Sequence, residues 1–184
     1  ISKRMNDTET LRVPPMAADE ARALLVSLSQ SYGILLEPAA LERMIEKTAD
    51  GPPYYGQILI KALRDSRINE ISLEQLQAIY DTMLRNGDHD LQHFDSRLVT
   101  YLPTPQELDC SRLILRTLCH DCWLEKELYE TFIVESHLDY AAYQRILDRL
   151  IYEGYIKRDI TNAGKLSFIS PMLRDWWSYK AGVR

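Results

Sequence analysis

Residues 155–177 read YIKRDITNAGKLSFISPMLRDWW, and their reading decides the fold. Two β-prone runs, YIKRDI and KLSFIS, flank TNAG, and an Asn and a Gly between such runs predict a hairpin. A final helix starts after Pro171. Working back, residues 139–152 predict a helix with Tyr143, Ile146, Leu147, Leu150 and Ile151 on its buried side and Gly154 as its stop. Before it come helical patterns at 125–133 and 105–119, joined by the short aromatic-bearing link CHDCWLE at 119–125. Helix, helix, helix, hairpin is the order of a winged helix, a variant of the helix-turn-helix motif.

Further back, LPTPQE at 102–107 marks a boundary. Pro103 ends one helix, while Thr104 caps the next, with Pro105 in its first turn and Glu107 at the box position. Upstream the chain reads as a helical bundle over 16–101. Ala21, Leu24, Leu25 and Leu28 line a first face, stopped by Gly33. Leu41, Met44, Ile45 and Thr48 line a second, up to Gly51, and Tyr55, Ile58, Leu59, Ala62 and Leu63 a third. Ser72 and Gln75 form a capping box for a fourth, which carries Leu76, Ile79, Tyr80 and Met83 as far as Gly87. Leu91, Phe94, Leu98 and Tyr101 mark a fifth, more polar helix. Residues 1–15 hold a strand-like TLRV ended by two prolines. The expected fold is therefore mainly α, a helical bundle followed by a winged helix with a small β-hairpin.

Composition removes several functions. The net charge is −5 and neither half is basic, so no electrostatic footprint for nucleic acid shows at the scale of the chain. Apolar runs such as ALLV and ILI are far too short to span a membrane. No charged, apolar, small-residue leader is present, so the expected compartment is the cytoplasm. The chain begins with Ile1 rather than Met, which leaves room for a preceding segment.

The chemical motifs are weak. Cys119-His120-Asp121-Cys122 is a CxxC, but a structural zinc needs four ligands, and Cys110 lies half a helical turn out of phase. Half-buried thiols at a helix end are the better account. His89 and His93 sit one turn apart like the zinc-protease pair, with Asp90 where a Glu belongs and no third ligand. Neither GxSxG nor the phosphate-cradling GxxxxGK[ST] occurs. The chain alone is expected to be no enzyme and to bind no cofactor by itself. Its third helix and hairpin offer Gln144, Arg145, Arg149, Lys157, Arg158 and Lys165 to a nucleic acid, with Asp139, Asp148, Glu153 and Asp159 interleaved to blunt them. Trp176 and Trp177 are candidate anchors for a protein partner or self-association.

The stretch from Val13 to Leu63, VPPMAADEARALLVSLSQSYGILLEPAALERMIEKTADGPPYYGQILIKAL, followed by a winged helix ending in FISPMLRDWW, resembles the C-terminal half of AAA+-type P-loop ATPases. The likeness is to their archaeal-ATPase and signal-transduction (STAND) branch. It implies that residues 1–15 are the tail of an ATPase core, 16–101 a helical lid and 104–184 the winged helix. It implies ATP or ADP with Mg²⁺ in the parent protein, an upstream core as partner in cis, and a switch in which nucleotide state moves lid and winged helix. STAND ATPases carry Gly-x-Pro at the start of a lid helix, with the proline beside the nucleotide; Gly51-Pro52-Pro53 fits it. Tyr54 stands where the wider class has a phosphate-sensing arginine, and a tyrosine cannot neutralise a phosphate. The resemblance thus implies a nucleotide half-site of Gly51, Pro53 and Tyr54, and the residues themselves lead Gly51 to be expected to end its helix at positive φ. The alternatives are a DNA-binding winged-helix protein that dimerises through 16–101, and a protein-interaction module.

Overall fold

Helix starts follow the residues able to satisfy or forgo the first-turn N–H groups. The computed structural model describes residues 15–86, 89–102, 104–133, 138–159 and 164–182. In chain order they form α1 (Ala18–Ser31), β1 (Leu35–Leu36), α2 (Pro38–Thr48), α3 (Pro53–Ser66), β2 (Glu70–Ile71), α4 (Leu73–Asn86) and α5 (His89–Tyr101). Then follow α6 (Pro105–Leu118), α7 (Glu125–Leu128), a π-helical turn (Tyr129–Ile133), α8 (Tyr140–Tyr152), β3 (Ile156–Asp159), β4 (Lys165–Phe168) and α9 (Pro171–Lys180). Four helices open on proline, where the missing N–H leaves nothing unpaired. Ser72 and Gln75 form the reciprocal box expected of them: the Ser72 N–H donates to Gln75 Oε1 at 2.9 Å, and the Gln75 N–H to Ser72 Oγ at 3.2 Å.

The fold is mainly helical with a small β-hairpin. β3 and β4 pair antiparallel, Ile156 opposite Phe168 and Asp159 opposite Lys165. Trp123, in the link between α6 and α7, adds a bridge to Leu166, with N–H···O contacts of 3.2 and 2.7 Å. A second pairing was not foreseen: β1 and β2 run parallel, Leu35 beside Glu70 and Leu36 beside Ile71. It ties the loop after α1 to the loop before α4.

The buried side chains form one hydrophobic cluster. Leu25, Leu59, Leu63 and Tyr80 from the first helices join Leu115, Tyr143, Leu147, Leu166, Leu173 and Trp177 from the later part. Each such side chain contributes about 1.5–3 kcal/mol by leaving water. Helix α9 packs on α2 and α4 as well as on α6, so packing continues across 102–107. No helix among the described residues is long and apolar enough to cross a membrane. Several expectations lie outside the described residues: residues 1–14, the stops at Gly87 and Pro103, and the hairpin turn at 161–163. Ile151 is half-buried rather than buried.

Candidate functional site

Sequence reasoning singled out the corner at residues 50–56. Helix α2 ends at Thr48, whose hydroxyl donates back to the Met44 carbonyl at 2.8 Å. The positive φ that lets the chain turn falls on Asp50, at 59°, and not on Gly51. An Asp side chain tolerates that conformation through local hydrogen bonding, which leaves Gly51 free for another task. That task is close packing. A Cβ on Gly51 would meet Tyr55 Cδ2 at 3.2 Å, Ser170 Cβ at 3.3 Å and the Thr48 carbonyl at 3.4 Å. Gly51 is buried beneath Ser170, the N-cap of α9, so its side of the corner is filled by this chain.

The incoming backbone also docks here. The Met16 N–H donates to Gly51 O at 3.1 Å, and the Asp50 N–H to Met16 O at 2.9 Å. Pro52 is the N-cap of α3 and Pro53 its first residue, both half-buried. Tyr54 is 37% exposed and Tyr55 only 1%. The two rings meet edge-on at 5.8 Å, and Tyr55 begins an aromatic series through the molecule: Phe94 at 6.4 Å, Tyr155 5.4 Å beyond it, then Trp177 at 6.5 Å. Burial above all, with Tyr54 and Tyr155 nearby, pushes the Tyr55 hydroxyl well above the usual phenol range.

The corner suits a flat apolar surface better than a phosphate. Helix N-termini hold anions through their first-turn N–H groups. Pro52 and Pro53 supply none, the Tyr55 N–H already reaches Pro52 O at 3.2 Å, and no basic side chain sits in the first turn of α3. The Tyr54 ring is exposed here and the Pro53 ring half-buried.

The nucleic-acid candidates divide. Gln144 donates to Glu125, and Arg158 pairs with the same carboxylate at 2.6 Å. Arg149 pairs with Glu153 at 3.1 Å and lies over the Tyr101 ring. Arg145, Lys157 and Lys165 form no ion pair among the described residues, and Arg145 is exposed. Glu125 was not foreseen as a neutralising residue; it sits far upstream in sequence and reaches α8 and β3 only through the fold. Lys157 faces a cleft of about 480 Å³ beside the corner, with Asp50, His120, Ser170 and Arg174 also on its walls.

Trp176 and Trp177 are each 3% exposed, so they are core residues and not anchors for a partner. Cys122 is exposed, Cys119 half-buried and Cys110 buried. Burial pushes the Cys119 thiol up to about 11 and Cys110 to about 12, so neither is a thiolate nucleophile at neutral pH. Among the described residues no group of three or more His, Cys, Asp or Glu is arranged to hold a metal ion.

Sequence reasoning missed Asp175. It is buried in α9, paired with Lys47 of α2, and accepts from the Tyr80 hydroxyl of α4 at 3.1 Å. The signal was present: an acid, Asp175, directly before the paired Trp176 and Trp177 and behind Met172 and Leu173. Comparisons with protein-family models, curated proteins and solved structures gave no match.

Proposed function

We propose that the chain is the lid and winged helix of a larger ATP-binding regulatory protein of the AAA+/STAND type. On this reading residues 1–15 end the nucleotide-binding core, 16–101 form the lid and 104–184 the winged helix. The core's nucleotide state sets the lid angle, and the winged helix moves with it. One observation carries the reading beyond the sequence. The backbone at Met16 is hydrogen-bonded to Asp50 and Gly51, so a core preceding it would leave the chain beside Pro53 and Tyr54. ATP with Mg²⁺ would be held by the core, and would supply the energy difference between the two lid positions. This chain's own part is packing: Pro53, fixed in φ, and the exposed face of Tyr54 against the base or ribose.

The test is nucleotide binding by the protein together with its upstream sequence. ATP or ADP should bind, and Tyr54→Ala should weaken binding roughly tenfold, the loss of one aromatic stack. A longer protein without a P-loop, or one that ignores nucleotide, contradicts the proposal. DNA binding is the weaker reading, because Gln144, Arg149 and Arg158 are already engaged internally. The interaction-module reading has lost its tryptophan anchors.

A further inference from the structure

We infer that residues 16–101 and 104–182 turn as one rigid lever, with Asp175 as the lock between them. Its functional meaning rests on the switch reading above; its mechanical content does not.

Asp175 is 6% exposed, and from its own segment Arg174 donates to it at 3.2 Å. Two more of its partners, the Lys47 ammonium and the Tyr80 hydroxyl, belong to the first segment. A desolvated carboxylate is tolerated only while such partners stay in place, and both depend on direction as well as distance. The carboxylate therefore fixes α9 against α2 and α4 at once.

Further ties lie around it. Arg97 of α5 pairs with Glu153 at the end of α8, and Arg149 pairs with the same carboxylate. Both guanidiniums rest on the Tyr101 ring, at 5.5 and 5.3 Å. The Tyr155 hydroxyl donates to the buried carbonyl side of α5 at Phe94, and Lys180 pairs with Asp95. Ser170 closes over Gly51, and the ring series from Tyr55 to Trp177 crosses the same boundary. These ties are spread over both ends of the interface, so rotation about any one of them would break another. A displacement imposed at Tyr54–Tyr55 is carried to α9 undiminished, and the switch has one moving body rather than two.

The tryptophans supply the test, because Trp123, Trp176 and Trp177 all lie after residue 104. Indole fluorescence thus reports the second segment and its seating on the first, and far-UV circular dichroism the helices of both. In the full chain the two thermal transitions should coincide. Asp175→Asn, which keeps the volume and removes the charge, should split them by roughly 10 °C or more. Lys47→Met, on the partner in α2, should split them likewise and serves if the first variant does not fold. Separate transitions in the unaltered chain, or variants that melt in one step, would overturn the lock. Neither readout involves nucleotide, so that failure would leave the proposed parent class standing.

Discussion

Gly51 is where a single hydrogen atom matters most. The atoms that an added Cβ would meet at 3.2–3.4 Å belong to the end of α2, to α3 and to the cap of α9. Gly51→Ala meets no positive-φ penalty, so its effect in the folded state is one of space, set against about 0.4–1 kcal/mol from restricting the unfolded chain. The added methyl must push Ser170 or Tyr55 aside, and overpacking of this kind costs about 1–3 kcal/mol. The midpoint of denaturant unfolding should fall accordingly, with the helical signal of the folded state unchanged; an unaltered midpoint would show that the corner can relax. Asp50 shows why this role was not legible. A glycine ahead of two prolines reads as the positive-φ residue, and only coordinates reveal that the preceding Asp takes that conformation.

Helix α6 illustrates what an element owes to its first residue. Thr104 accepts the Glu107 N–H at 3.3 Å, while its hydroxyl donates to the Glu107 carboxylate at 2.9 Å. Thr104→Ala removes both and should lower stability by about 1 kcal/mol in thermal unfolding, with Thr104→Ser close to the parent. No loss in the Ala variant would mean that Pro105 alone starts the helix. Elements of this kind were legible because their signals are local: caps, prolines, and apolar residues at helical spacing. The β1–β2 pair was not, since two residues per strand leave no periodicity to read. Nor was the Trp123–Leu166 bridge, which depends on the hairpin folding back over the link. The candidate site shared this division. The prolines and tyrosines of the corner could be named in advance, but Ser170 comes to it from the start of α9 and carries no local mark of that role.

At the scale of the whole molecule, burial sets how stability follows pH. Tyr55, Tyr143 and Tyr155 are all raised well above the ordinary phenol range, burial being the main cause in each. Their folded pKa lies above the unfolded value of about 10, so folding stability is intact below that pH and declines as pH rises beyond it. Denaturant midpoints should be level through the neutral range and fall above roughly pH 10, together with the rise of phenolate absorbance. Phenolate absorbance equal to that of all eleven tyrosines, reached near pH 10 in the still-folded chain, would contradict the burial of these rings. At the acid end Asp175 works in the opposite sense. Burial alone would raise it, but Lys47, Arg174 and Tyr80 outweigh that and hold it below the usual carboxylate range. Its contribution is present above its unfolded pKa and is lost as pH falls through the folded one. The molecule has one buried core with Tyr54 exposed at its corner, and the proposed function has that corner meet a nucleotide. Calorimetric titration of ADP and of ATP with Mg²⁺ into the protein carrying its own upstream sequence tests that claim most directly. Saturable binding that weakens about tenfold in Tyr54→Ala is the expected result; a folded protein that takes up no nucleotide would contradict it.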